Sequence, residues 1–480
     1  MNDAPARQEV QLKYPKYKTH FSEFIGVGAN GNLWVDGCDC QELAEKFGTP
    51  LFVLSEAQFR HNYRHFRDAF RAAYPDVEVL FANKSANQLA VRHIFNQEGA
   101  GGDAFGLQEM YYSLLTGADT SKMVLNGSNK EDDELEMAVA NKVCINIDAM
   151  DELDRIAAVA KRLGATGVPL GIRVKLVLED LKDRYGQPMH GEGSLQEQAA
   201  SHKWGMTMDE TVELIGRIDK MPDMDLIELH YHLSRMDNKA SDFAVMAREM
   251  IVWTDEIRKK TGWTAPTIDI GGGWTFGRAG GTGPDRADDE ANAATFEDYG
   301  TEVCEAIKDE CKKRDFPLPK LKMEPGRSIS GSAGVAIGRV GAVKKHPTKT
   351  WINCDLSSNI ITWVNFCNWW FPMYPVKDAL AKATQVADLV GPLCSSDELG
   401  HARDFPELER GDYIALLDCG GYTESTMASF NAQFWPATVL VNGTQADVIT
   451  ERMRLSDVMG RFKVPPRLLD GTYGRLRESG

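Results

Sequence analysis

The chain has 480 residues, 43% hydrophobic and 26% charged, with a formal net charge of −16. Those values suit a soluble globular protein of more than one domain. The negative balance disfavours nucleic acid and anionic membranes as partners, since both call for a basic footprint. No apolar run is long enough to span a bilayer, and residues 1–18 lack the apolar centre of a secretory signal. The nine cysteines are scattered and form no CxxC pair. That argues against a zinc ribbon and for reduced thiols in the cytoplasm.

The stretch up to about Thr49 reads as short β-like pieces, and Ser55–Ala73 as a helix. Eight β-rich runs follow: Val77–Asn83, Gly101–Phe105, Met123–Asn126, Val143–Ile147, Leu170–Lys175, Leu226–His232, Thr267–Ile270 and Lys320–Glu324. Apolar residues recur at helical spacing in Asn87–Gln97, Leu107–Thr116, Glu131–Asn141, Met150–Leu163, Met208–Lys220 and Ser241–Thr261. Strand–helix alternation predicts a parallel α/β fold. The count of eight favours a TIM-like (β/α)8 barrel over a doubly wound open sheet. A polar stretch, 179–201, and a Gly-rich then acidic one, 278–295, interrupt the alternation. Both follow barrel strands and are expected near the active face, although a plain solvated loop fits the second equally well. After Arg327, strands are predicted at Val335–Lys344, Trp351–Leu356, Gln385–Val390, Tyr413–Leu417 and Thr438–Val441. They suggest an antiparallel β domain that the N-terminal stretch joins. The predicted organisation is residues 1–50 in the β domain, 51–328 in the barrel and 329–480 in the β domain again.

In such a barrel, functional groups gather at the carboxyl ends of the strands. Read in order, those ends carry Lys84, Asp103, Asn126, Arg173, His232, Gly271-Gly272-Gly273 and Glu324-Pro325-Gly326-Arg327. A lysine at such a place can form a Schiff base. A glycine run can wrap phosphate oxygens with backbone N–H groups, although a triple glycine is also a common turn. His230-x-His232 has metal-like spacing, but no third ligand is evident and no metal is expected. Together the set fits pyridoxal 5′-phosphate (PLP), which needs an amine, a phosphate cradle, a partner for its ring nitrogen and a flat neighbour.

The chain resembles the fold-type III PLP decarboxylases, the group of diaminopimelate, ornithine and lysine decarboxylases. The resemblance rests on Phe81-Ala82-Asn83-Lys84-Ser85-Ala86-Asn87, Glu228-Leu229-His230-Tyr231-His232, Ile268-Asp269-Ile270-Gly271-Gly272-Gly273 and Glu324-Pro325-Gly326-Arg327. In the β domain it continues in Gly391-Pro392-Leu393-Cys394 and Asp418-Cys419-Gly420-Gly421-Tyr422. Related racemases share the lysine-bearing strand, and a racemase or other lyase on the same scaffold is the alternative; the Gly-Pro-x-Cys element points to decarboxylases. The resemblance implies that Lys84 holds the cofactor, His232 stacks on its ring and Glu324 pairs with its nitrogen. It implies that Gly271, Gly272, Gly273, Gly326, Arg327 and Tyr422 bind the phosphate, with Asp103 beside Lys84 and Arg173 near the cofactor. It also implies a homodimer in which Cys394 of a second subunit delivers a proton after carbon dioxide leaves.

The motifs come nearest to the diaminopimelate enzymes, yet the substrate-facing positions depart from them. Ser395 stands where that group has an acid, and Thr362 and Phe366 stand where it has an arginine and a tyrosine. Trp363, Trp369, Trp370 and Phe371 surround them. Unpaired charge is costly in such a pocket, so the expected substrate is an amino acid other than meso-diaminopimelate. If the alignment slips, another segment would supply the charges for diaminopimelate, or Asp355, Asp397 or Glu398 would read a distal amine, as in D-/L-ornithine- or lysine-type enzymes. Arg327 and Tyr422 are expected to face the substrate as well. Leu233-Ser234-Arg235 follows His232 where the family has Gly-Ser, so Arg235 would add positive charge.

Overall fold

The computed structural model describes residues 20–176, 178, 203–232, 239–275, 293–366 and 369–468. The stretch 179–201, most of 278–295, and Arg235 lie outside them. Eight parallel strands close a barrel: Val77–Ala82, Gly101–Ala104, Met123–Leu125, Cys144–Ile147, Val168–Arg173, Met224–His230, Thr267–Asp269 and Lys320–Met323. The sixth pairs with the fifth, and the eighth with the first, so no barrel edge is left open.

Alternation along these strands explains why the barrel is both stable and functional. Val79 and Phe81, Ile145 and Ile147, Leu170 and Ile172, and Leu321 and Met323 point outward into the main core under the helices. The intervening residues point inward. Low in the barrel these are apolar, with Leu80, Val124 and Cys144 packing on Ile227. Higher up they are polar: Asn126, Asn146, Glu228, His230, Asp269 and Lys322, all buried. Lys322 Nζ lies 2.6 Å from Glu228 Oε2. Gly171 sits in this layer because a Cβ there would collide with Asn146 and Glu228.

The helices begin where side chains satisfy their first N–H groups. Ser55 Oγ accepts from the backbone of Gln58 ahead of Glu56–Ala73, and Thr207 and Glu210 form a capping box ahead of Met208–Ile218. One long helix, Phe296–Arg314, is absent from the sequence reading. Thr295 and Asp298 cap it, and it buries Phe296, Tyr299, Val303, Cys304 and Ile307 at helical spacing. The glycine-rich, acidic stretch just before it hid its start.

The β domain is mixed rather than antiparallel. Its sheet runs Glu398–Phe405, Gln385–Val390, Thr350–Cys354, Gly334–Lys345, Leu51–Ser55, Ala437–Asn442 and Gln445–Thr450, with Met373–Pro375 and Tyr413–Leu416 off that path. Two pairings are parallel, Thr350–Cys354 with Gln385–Val390 and Leu51–Ser55 with Ala437–Asn442. Both arise because these strands are joined by long connections, not hairpins. Four strands escaped the sequence reading: Leu51–Ser55, Met373–Pro375, Glu398–Phe405 and Gln445–Thr450. The first is buried on both faces, so it has no polar alternation to reveal it. Ile25–Val27, Leu33–Val35 and Cys38–Asp39 form a small separate sheet that packs on the β domain through Val335, Ile337 and Val439. Among the described residues no helix is long and apolar enough to cross a membrane.

Candidate active site

Lys84 lies in a single 3-10 turn, Asn83–Ser85, directly after the first barrel strand. Its Nζ is 2.5 Å from Asp103 Oδ2 and 4.5 Å from the centre of the Phe105 ring. Burial pulls the lysine pKa down, but Asp103, Tyr422 and Glu324 outweigh it, and the amine is held charged above its ordinary range. Asp103 is fully buried; burial and the Glu324 charge push its carboxyl up, partly offset by Lys84. Asn126 Nδ2 donates to Asp103 Oδ1 at 2.8 Å and to Glu324 Oε1 at 2.7 Å. Glu324 ends the eighth strand. Burial alone would raise its pKa, yet His230 and Lys84 reverse that and keep it ionised.

The glycine run brings the His232 ring close to Glu324. Gly271 (φ +67°) and Gly273 (φ +92°) take left-handed backbone that favours glycine. A Cβ at Gly272 would sit 2.6 Å from the Glu324 carbonyl oxygen and 3.2 Å from the His232 ring. The Gly272 N–H donates to His232 Nδ1 at 2.9 Å. That ring nitrogen is therefore an acceptor, and the imidazole is neutral with its proton on Nε2. Burial, then Arg173 and Lys84, push the His232 pKa down to about 3. An unfolded histidine titrates near 6.5, so below that pH the unfolded chain binds the extra proton. The cofactor-free protein is expected to lose stability steadily as pH falls from about 6.5 to about 3, and His232→Phe to flatten that limb. Thermal melts across that range check it.

Among the described residues His230, Asp269 and Glu324 place potential ligand atoms within 4.8 Å of one another. His232 is not part of this group, so the His230-x-His232 pair gains no third ligand from it.

Arg173 ends the fifth strand, almost fully buried, with its guanidinium 5.4 Å from the Trp204 ring. Its Nη1 has no hydrogen-bond partner. Gly326 faces Tyr422: a Cβ there would lie 3.2 Å from the Tyr422 hydroxyl. The Tyr422 backbone N–H donates to the Ser85 carbonyl at 2.6 Å, which ties the β domain to the lysine turn. The Arg327 guanidinium carbon lies 3.4 Å from the centre of the Trp369 ring, and Trp369 stacks on Trp363 at 4.5 Å. Tyr422 meets both tryptophans edge-on.

The proposed substrate residues are less uniform. Asp355 is already engaged within the protein. Its Oδ2 accepts from Thr49 Oγ1 at 2.6 Å and its Oδ1 from the Arg339 N–H at 2.7 Å, so its carboxylate is spent on joining strands. Asp397 is likewise spent, accepting from the Ser358 N–H and hydroxyl at 2.7 Å and from the Leu393 N–H at 2.9 Å. It shapes the loop that presents Cys394 and Ser395, both exposed. Thr362 Oγ1 is 2.6 Å from Thr426 Oγ1, and Phe366 is 72% exposed on the rim.

Residues 57–331, more than half of the chain, match the family described as pyridoxal-dependent decarboxylase, pyridoxal binding domain. The chain belongs to this family. It is 28% identical over 453 residues to the diaminopimelate decarboxylase of Methanothermobacter thermautotrophicus, covering 93% of this chain and 99% of that one. It is 29% identical over 443 residues to the diaminopimelate decarboxylase of Archaeoglobus fulgidus, covering 92% and 99%. The crystal structure of the Methanocaldococcus jannaschii diaminopimelate decarboxylase with L-lysine superposes with a TM-score of 0.83 at 26% identity, over 93% of this chain and 99% of that one. The chain is thus a PLP-dependent amino-acid decarboxylase, a carboxy-lyase with PLP as its cofactor. The expectation of a substrate other than meso-diaminopimelate finds no support in these likenesses: the relatives carry diaminopimelate in their names over nearly their whole lengths.

The residues present fit that cofactor. The orphaned Arg173 Nη1 offers a buried cationic donor, and the short backbone at Gly271, Gly272 and Gly326 lets His232, Glu324 and Tyr422 close in around the site. Lys84, His232 and Glu324 would supply the amine, the flat face and the acid.

Proposed function

We propose that this PLP-dependent decarboxylase acts on diaminopimelate, the amino acid for which its full-length relatives are named. The observation that carries the reading is the likeness across 93% of the chain, β domain included. Bound PLP supplies an aldehyde that takes up an amine and a ring that spreads carbanion charge. Lys84 would hold the cofactor through its amine, with Asp103 beside it to balance the lysine's positive charge. Glu324, kept ionised by His230 and Lys84, keeps the ring nitrogen protonated. His232, neutral and fixed by the Gly272 N–H, offers its flat face. Arg327 on Trp369 meets the substrate's distal carboxylate, and Tyr422 closes the phosphate end.

Cys394 is exposed in the single chain, and so are Phe366, Phe430 and Phe434 in the β-domain loops. Exposed apolar groups of this kind support a second copy covering them. In the resulting homodimer the thiol of one subunit delivers a proton to the carbon left behind by carbon dioxide at the other's site. On this reading Cys394→Ala lowers turnover on the order of 10²-fold or more with little change in KM, and an unchanged rate rejects it. The described cysteines are all free thiols, which supports a reducing compartment, the cytoplasm.

A second reading is an amino acid with an uncharged or masked distal end. Ser395 favours it, because its hydroxyl carries no charge to pair a distal ammonium. Carbon dioxide release across a panel of D- and L-amino acids, meso-diaminopimelate included, decides between them. Turnover of another member with none of diaminopimelate rejects the first reading.

A further inference from the structure

Two buried carboxylates face each other across the centre of the site. Asp103 partners the amine at one end of the cofactor space, and Glu324 serves the ring nitrogen at the other. Between them stands the single side-chain amide of Asn126, whose Nδ2 donates to Asp103 at 2.8 Å and to Glu324 at 2.7 Å. All three are shielded from solvent. The amide cannot turn over without aiming its oxygen at two carboxylates. It is also held from behind: Asn146 Nδ2 donates to Asn126 Oδ1 at 2.9 Å. Asn146 in turn occupies space that only a glycine at 171 leaves open.

We propose that Asn126 is a positioning residue that couples the two ends of the cofactor site, bridging Asp103 and Glu324 with one amide whose direction Asn146 sets. The physical basis is the cost of two like charges in a buried site. Both N–H groups of one amide point into the space between the acids and lower that cost for both. The division of charge is uneven. Asp103 faces Glu324 and is offset chiefly by Lys84, with Arg173 farther off, and its carboxyl is pushed up. Glu324 faces His230, His232 and Lys84 and stays ionised. Arg173, Asp269, Tyr422 and Glu109 complete the charged and titratable groups around the pair. Without the bridge, the repulsion is relieved by proton uptake on Asp103. The Lys84 nitrogen then loses the negative charge beside it and holds its own proton less tightly.

The test uses the PLP-loaded protein and its visible absorbance as a function of pH. Asn126→Ala is expected to move the pH midpoint of the absorbance change at the Lys84-linked cofactor downward by about 1 unit or more. It should lower kcat by about tenfold or more with a smaller effect on KM. Asn146→Ala, which frees the amide without removing it, is expected to shift the midpoint in the same direction by less. Asn126→Gln, which keeps the donor, should recover part of the shift. If Asn126→Ala fails to fold, Asn146→Ala carries the test. Midpoints equal to wild type in every variant that folds overturn the proposal. The inference rests on Lys84 and Glu324 marking the two ends of the cofactor. If Lys84→Ala keeps the visible band, that assignment has failed. If Lys84→Ala loses the band while the asparagine variants titrate as wild type, only the coupling has failed.

Discussion

Replacing Lys84 by alanine removes the visible absorbance of the PLP-loaded protein and lowers carbon dioxide release on the order of 10⁴-fold or more. The lysine is the amine at the carboxyl end of the first strand, with Asp103 at 2.5 Å. The change is expected to spare the fold. Asp103, left without its cation, takes a proton, and its carboxyl is already pushed upward by burial and by Glu324. A thermal midpoint close to wild type with a colourless, inactive protein is the predicted result. A visible band or substantial turnover in Lys84→Ala sinks the assignment.

The largest effect on stability is expected deeper in the barrel. Lys322 and Glu228 form an ion pair at 2.6 Å with both side chains almost wholly buried. Burial pulls the lysine pKa down, but the Glu228 charge more than reverses it, and Lys322 is held charged above its ordinary range. A lysine raised in the fold contributes stability that is fully present below its unfolded pKa near 10.4 and is lost only at higher pH. Lys322 is therefore charged at neutral pH. Lys322→Met strands Glu228 beside Asp269, another buried acid, and is predicted to cost about 3–5 kcal/mol. Replacing both partners, Lys322→Met with Glu228→Leu, should regain most of that loss, because two apolar groups leave no charge unpaired. Denaturant unfolding of the three variants checks the order. A single mutant as stable as the double mutant contradicts it.

Much of the fold was legible because its signals are periodic. The barrel strands alternate between helix-facing Val, Ile and Leu and inward polar residues, and all eight were found with ends displaced by a few residues. The candidate site was legible for the same reason: Lys84, Asp103, Arg173 and Glu324 all mark strand ends. What stayed hidden has identifiable causes. Leu51–Ser55 is buried on both faces and reads as an apolar run of no fixed type. Phe296–Arg314 follows a stretch with no periodicity. Asp355 looked like a free acid, because hydrogen bonds to Thr49 and Arg339 cross 306 and 16 positions that no local pattern records. Asn126 was noticed at a strand end yet given no task, since an amide has no charge to advertise. Its importance lies in two contacts that only the closed barrel creates.

The strand Leu51–Ser55 has a consequence for how the polypeptide is made. It lies in the middle of the β sheet, between Gly334–Lys345 and Ala437–Asn442. Val53 pairs with Val335 on one side and with Val439 on the other. Ribosomes add roughly 5–20 residues per second, so this apolar segment waits on the order of 20–80 s for its second neighbour. The whole barrel emerges in the interval. During synthesis the nascent chain thus carries a sticky, unpaired edge beside a domain that can already close. Shielding that segment, more than assembling the barrel, is the step at which production of this enzyme is most exposed to aggregation.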